Sequence, residues 1–222
     1  MNLLAPREAY RLWAPAYEPE TAVSYLENFL VASVGPPLAG ARLLDAGCGT
    51  GRRMRQADAA LAVGIDLTPE MLAAHGDPQG VAAADVRALP FADASFDVVW
   101  CRLMIGHLPD AAPAYAELAR VCRPGGTVVV TDFHPAAVEA GHRRTFRDAA
   151  GEVHEIEHHV HPPALQAALA GTAGLRLAEA REGRVGPMLR PFYERVGRLE
   201  AYREQRGLRV VLALSFRRDP LP

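Results

Sequence analysis

Three glycines and three carboxylates carry the strongest chemical signal in the chain. Leu43-Leu44-Asp45-Ala46-Gly47-Cys48-Gly49-Thr50-Gly51-Arg52 passes from an apolar run into a polar one. Glycine at 47, 49 and 51 removes three side chains, so a ligand can approach the main chain closely. The spacing is GxGxG; the dinucleotide fingerprint has GxGxxG, and a phosphate loop ends in Gly-Lys-Ser/Thr. Asp45, Asp66 and Asp85 stand near the ends of three successive apolar runs. A carboxylate at Asp66 can accept both hydroxyls of a ribose. One at Asp85 could take an adenine amino group, and Asp45 could orient the glycine turn or receive an ammonium group. Each also has a plainer reading. The loop alone could be a tight strand-to-helix turn, and Asp66 or Thr68 could cap a helix that starts at Pro69.

Histidines supply the candidates for proton transfer, because imidazole titrates near neutral pH. His107 follows the fourth apolar run, in Ile105-Gly106-His107-Leu108-Pro109-Asp110, and is the first choice for a general base. His134, just after Asp132 at the end of the fifth run, is the second. Six of the eight histidines fall in residues 133–161. They do not share one face of a helix or strand, so no metal site is expected and a polar lid is. Arg143, Arg144 and Arg147 lie in the same segment. They could bind an anionic acceptor or form a solvated face.

These groups need a scaffold that brings strand ends together. Apolar runs at 41–46, 61–66, 81–85, 96–101 and 127–132 alternate with helical stretches at 52–60, 69–75 and 111–121, the pattern of a parallel sheet covered on both faces. In such sheets ligands collect beyond the carboxyl ends of the strands. Later, 145–147 and 153–156 suggest a hairpin turning at Gly151. A helix at 164–173, strands at 175–182 and 208–216, and a helix at 191–205 between those strands complete the reading. We expect one domain: a helical cap (1–40), a core (41–132), a lid and acceptor insertion (133–161) and the rest of the sheet (162–222).

Composition narrows the chemistry. Net charge is -2 and all 24 basic residues are arginine. A Schiff-base or lysine general-base mechanism is thereby excluded, and without a basic face nucleic acid is not an expected partner. Cys48, Cys101 and Cys122 fit no zinc or CxxC spacing and read as free thiols. No basic, apolar leader and no apolar stretch of about 18 residues occurs. A cytoplasmic protein without membrane contact is expected.

LLDAGCGTGR, VGIDLTPEML, ADVRALPFADASFDVVWCRLMIGHLPD and RVCRPGG with TVVVTD, in this order over residues 41–132, resemble the class I S-adenosylmethionine-dependent methyltransferases of type 11. The resemblance extends to an aromatic opening helix, YRLWAPAY. It implies a Rossmann-like, seven-stranded, mostly parallel sheet with helices on both faces and the last strand antiparallel. It also implies S-adenosylmethionine as cofactor and in-line methyl transfer to a small-molecule oxygen, nitrogen or carbon. By the same resemblance Asp45, Gly47, Cys48 and Gly49 would contact the methionine end and Asp66 the ribose. Leu67 and Met71 would flank the adenine, and Asp85 and Val86 its edge. Cys101 and Arg102 would meet the ammonium through backbone oxygen, with Tyr17 and Arg52 as candidates for the carboxylate. Residues beyond Phe133 match no acceptor-specific pattern. A nicotinamide-dependent oxidoreductase and a cofactor-binding module without turnover are the competing readings.

Overall fold

The computed structural model describes residues 2–17, 20–74 and 79–219. In chain order the elements are β1 (Asn2–Leu4), α1 (Pro6–Trp13), α2 (Ala22–Val34), β2 (Arg42–Ala46), α3 (Arg52–Arg55), β3 (Leu61–Asp66), α4 (Pro69–Ala73), β4 (Val81–Ala83), β5 (Phe96–Arg102), α5 (Ala112–Val121), β6 (Cys122–Phe133), α6 (Pro135–Glu139), β7 (Thr145–Arg147), β8 (Val153–Ile156), α7 (Pro163–Thr172), β9 (Leu175–Arg184), α8 (Arg190–Arg195), α9 (Leu199–Gln205) and β10 (Arg209–Arg218). Seven strands form one sheet in the order β4-β3-β2-β5-β6-β10-β9. The first five run parallel, and β10 is antiparallel to both its neighbours. The expected fold class is what is found. Strand order reverses beside β2, between β3 and β5, which opens a crevice at the end of β2, where the glycine loop begins.

Alternation along the strands sorts the core into two layers. Leu44, Val99, Val128, Val130, Leu212 and Leu214 pack with Tyr115 and Leu118 of α5. Leu43, Val98, Val129, Val211 and Ala213 pack with Leu26, Leu30 and Val31 of α2. Both faces of the sheet are therefore apolar, as a doubly covered parallel sheet requires. A capping box between Thr21 and Ser24 fixes the start of α2.

Four sequence expectations change. The 52–60 helix is the four-residue α3, because the chain breaks to lay Ala60 and Leu61 against the Ala41 carbonyl and start β3. The 191–205 helix is two, α8 and α9, separated at Gly197, whose φ is 69°. The expected cap, 1–40, is not all helical: β1 pairs with β8 and ties the lead-in to the β7–β8 hairpin, giving a second sheet β1-β8-β7. The strand expected at 127–132 starts earlier, at Cys122, so Pro124-Gly125-Gly126 lies inside β6. The hairpin itself is as expected, with Gly151 at φ 86°. Of the expected 69–75 helix, His75 lies outside the described residues. No helix among the described residues is long and apolar enough to cross a membrane.

Candidate active site

A cavity of about 300 Å³ opens beyond the carboxyl ends of β2, β3 and β5. Gly47, Cys48, Gly49, Arg52 and Asp66 line one side, and Tyr10, Trp13, Tyr17, His107, Phe133 and Arg144 the other. Backbone makes the floor. Gly47 has φ 85°, and a Cβ there would lie 2.6 Å from Met104 Cγ. Gly49 has φ 59°, and a Cβ there would lie 3.1 Å from Met71 Cε and 3.9 Å from Tyr17. Both positions combine a left-handed backbone with close packing, which only glycine tolerates. Cys48 packs its sulfur under the loop, at the spot a Gly64 side chain would need, 2.7 Å from the ideal Cβ. Burial, with Asp45 and Asp66 nearby, pushes its thiol up and keeps it protonated.

Asp66 fastens this loop. Its Oδ2 accepts from the Gly49 N–H at 2.9 Å and its Oδ1 from the Thr68 N–H at 2.8 Å. The carboxylate therefore joins the glycine turn to the start of α4, and the helix-cap reading describes one of its two oxygens. Burial pushes the carboxyl up, opposed by the two backbone N–H bonds and the Thr68 hydroxyl. Asp45 lies beneath, 1% exposed, with Oδ1 lacking any hydrogen-bond partner among the described residues. Burial raises its pKa to about 6, although Arg102 and Arg53 pull it down.

Glu27 is a site residue that sequence reasoning missed. It is 0% exposed, yet it accepts from Arg102 Nε at 2.8 Å, Arg102 Nη2 at 2.6 Å and the Thr131 hydroxyl at 2.8 Å. Arg53 approaches it at 3.3 Å. The Thr131 hydroxyl also accepts from the Leu103 N–H. Leu103 sits at the tip of β5 with φ 53°, a strained conformation for a leucine. Glu27 thus holds the ends of β5 and β6 to α2, and with them the segment that carries Met104 and His107. The Arg102 side chain serves this ion pair and also stacks on Trp100.

His107 reaches the cavity in the 3-10 turn Ile105–His107. Its Nε2 is 3.0 Å from the Tyr10 hydroxyl, and its Nδ1 is 3.4 Å from the Glu157 carbonyl. Arg144 Nη2 donates to the same Tyr10 oxygen. An arginine can only donate, so the Tyr10 proton is left to bond His107 Nε2, and His107 carries its own proton on Nδ1. Burial and the Arg144 charge hold the His107 pKa well below the usual histidine value. Tyr17 stacks edge-on against Trp13 at 4.7 Å. Burial, then Tyr10, raises its phenol to about 12.

Seven expected residues do not line the cavity: Asp45 beneath the loop, and Leu67, Met71, Asp85, Val86, Cys101 and His134. His134 is an N-cap: its Nδ1 accepts from the Ala136 N–H and its Nε2 bonds Glu182 at 3.1 Å, so both nitrogens are spent at the start of α6. Asp85 sits two residues past β4 and receives the Arg87 backbone N–H and guanidinium. Arg87 holds its carboxyl below the usual range. Val86 and Cys101 are buried in the core, and Leu67 is half-exposed. Met71 is buried directly against Gly49. Among the described residues no His, Cys, Asp or Glu cluster could hold a metal.

The sequence model of a methyltransferase domain family, type 11, matches residues 44–130. The malonyl-[acyl-carrier protein] O-methyltransferase of Dechloromonas aromatica (strain RCB) is 32% identical over 181 residues, which cover 79% of this chain and 68% of that protein. The 27-O-demethylrifamycin SV methyltransferase of Amycolatopsis mediterranei (strain S699) is 33% identical over 214 residues, 89% of this chain and 75% of that protein. The fold is shared with an S-adenosylmethionine-dependent methyltransferase from Mesorhizobium loti, at TM-score 0.65 and 21% identity, over 89% of this chain and 100% of that one.

Proposed function

The chain belongs to the class I S-adenosylmethionine-dependent methyltransferases of type 11, and from that premise we propose that it methylates a small anionic molecule held between the glycine loop and the β1-β8-β7 cap. The side-chain-free floor with Asp66 at one end and His107 at the other carries this reading. The residues fit the cofactor. Gly47 and Gly49 leave room where any Cβ would intrude, and Asp45 Oδ1 is a buried acceptor in want of a donor.

In this assignment Asp66 would hold the ribose. Asp45, the Gly47–Cys48–Gly49 backbone, Arg52 and Tyr17 would hold the amino-acid end, and Met71 would flank the adenine. Asp85 and Val86 would take the adenine edge, which requires Asp85 to release Arg87. Bound there, the cofactor supplies an electrophilic methyl group on a sulfonium. The protein's task is then positioning and water exclusion. Tyr10, Trp13, Tyr17 and Phe133 form an aromatic wall suited to both. A hydroxyl nucleophile would pass its proton to His107, directly or through Tyr10. The neutral state of His107 keeps that base available through neutral pH.

Two expected results test the assignment. Asp66→Ala removes the acceptor of two backbone N–H groups and of the proposed ribose contact. Loss of a charge-assisted bond is worth about 2 kcal/mol, so calorimetry should read cofactor binding weaker by about thirtyfold; an unchanged Kd sinks the Asp66 assignment. His107→Ala should lower kcat by about a hundredfold and leave cofactor Kd unaltered, measured as labelled-methyl transfer to a panel of small hydroxy acids. The wild-type acid limb should fall well below pH 6.5, since the base must be neutral and its folded pKa is depressed. Full turnover in the variant removes His107 from proton transfer. Binding without transfer to any acceptor would favour a regulatory module, and selective nicotinamide-nucleotide binding an oxidoreductase.

A further inference from the structure

A second cavity, of about 410 Å³, adjoins the first and shares four lining residues with it: Phe133, His142, Arg143 and Arg144. We propose that Arg144 and His142, at this common wall, form a receptor for a carboxylate that anchors the acceptor. The inference rests on the methyltransferase reading and names its substrate class.

Two polar nitrogens at that wall have nothing to bond among the described residues. Arg144 Nη1 and His142 Nε2 are buried, and neither has a hydrogen-bond partner among the described residues. Arg144 spends Nη2 on the Tyr10 hydroxyl and the Leu103 carbonyl, and its guanidinium lies over the Phe133 ring at 5.1 Å. None of these neighbours is an anion. The carboxylates nearby face other groups: Glu155 faces Arg143 at 3.5 Å, Glu157 faces His159 at 3.7 Å, and Asp132 Oδ1 receives the Phe133 N–H and faces His158 at 3.3 Å, while its Oδ2 has no hydrogen-bond partner among the described residues. On the other side of the cavity Arg53 and Arg102 share the one carboxylate of Glu27, and Arg53 Nε has no hydrogen-bond partner among the described residues. Arg52 and Arg144 are thus the two cavity-lining arginines without a carboxylate partner among the described residues. A half-buried cation with an orphaned N–H is costly unless an anion completes it.

The cofactor brings one carboxylate, and Arg52 follows directly on the glycine loop that receives its amino-acid end. Arg144 is held by the cap, so the second anion belongs to the acceptor. One full cation beside one imidazole suits a monoanion with two coplanar oxygens better than a dianionic phosphate. Because the guanidinium engages its lone pairs, this carboxylate is an anchor. The nucleophile is another group of the same molecule, presented to His107 and Tyr10.

The test uses wild-type protein loaded with S-adenosylhomocysteine and compares phenylacetate with its neutral isostere phenylacetamide by ligand-observed NMR. Phenylacetate should bind at least about tenfold tighter, the low end of what a charged hydrogen bond contributes. In Arg144→Gln that ratio should fall to about one, in His142→Ala it should fall partway, and in Arg144→Lys part of it should return. S-adenosylhomocysteine should bind each variant within about twofold of wild type, which also shows that they fold. Equal binding of the two probes to wild type overturns the proposal, as does a ratio indifferent to Arg144. Weakened S-adenosylhomocysteine with an unchanged ratio would move Arg144 to the cofactor's carboxylate. Inorganic phosphate competing better than phenylacetate would overturn the substrate class. If S-adenosylhomocysteine fails to bind wild type, the methyltransferase reading fails, while the acid-to-amide ratio without it still decides the anion site.

Discussion

Glu27→Ala is expected to destabilise the fold by about 3–5 kcal/mol, because removing one partner of a buried ion pair leaves the other charge uncompensated. Here the remaining charges are Arg102, whose side chain is 4% exposed, and Arg53 at 17%. For a chain of this length the thermal midpoint should fall by about 6–20 °C. A drop under about 2 °C would show that the two arginines find water or other partners. Replacing Glu27 and Arg102 together by leucine and methionine should recover much of the loss, since apolar substitutes avoid the desolvation that the pair incurs. The same network makes stability depend on pH. Burial alone would raise the Glu27 pKa, but Arg102 and Arg53 outweigh it and the net shift is downward. Its stabilising contribution is therefore complete above the unfolded value of about 4.3. It is lost as pH falls from there through the lower folded pKa. Acid titration of wild type against Glu27→Gln should diverge above that window and converge below it.

Glu27 also shows where sequence reasoning stops. Its partners Arg102 and Thr131 lie 75 and 104 residues away, and no local pattern specifies such a pair. One signal was available. Glu27 stands three, four and seven positions before Leu30, Val31 and Val34, on the face of α2 that is otherwise apolar. A lone acid on such a face needs a buried cation. The glycine loop was legible for the opposite reason. Close backbone packing leaves glycine as its mark in the sequence itself, and Asp66 follows within one β-α-β unit. His134 carries a local clue to its role: Pro135 follows it, and proline at the first helical position marks the preceding residue as a cap. Asp85 was placed at a strand end, but Arg87 competes for it from two residues away. The three residues of β1 show no alternation to read; their pairing depends on β8, some 150 positions along the chain. The sheet was legible because each buried strand writes its own apolar run. The cap was legible only in its β7–β8 hairpin; its tie to β1 was not, because that strand is three residues long and its partner is remote in sequence.

Gly47→Ala is expected to abolish most cofactor binding, with calorimetric affinity falling by at least about a hundredfold, or about 2.7 kcal/mol. Two effects combine at this position. An L-residue in the left-handed region costs about 1–2 kcal/mol, and overpacking adds about 1–3 kcal/mol, since the new Cβ would lie 2.6 Å from Met104 Cγ and 3.0 Å from its Cβ. Gly40 separates the two. Its φ of 77° is close to the 85° of Gly47, but nothing lies within 4 Å of its ideal Cβ. Gly40→Ala should therefore show only the backbone cost and keep cofactor affinity. In Gly47→Ala the turn can escape Met104 only by shifting, and the Gly47 and Cys48 N–H groups both bond the Ile65 carbonyl, one residue before Asp66. Any such shift carries the loop away from the carboxylate that the proposal gives to the ribose. Shortening the obstacle tests this route: Gly47→Ala with Met104→Ala should regain part of the affinity. If the double variant binds no better than Gly47→Ala alone, the loss comes from backbone strain, and crowding against Met104 does not set the position of the floor.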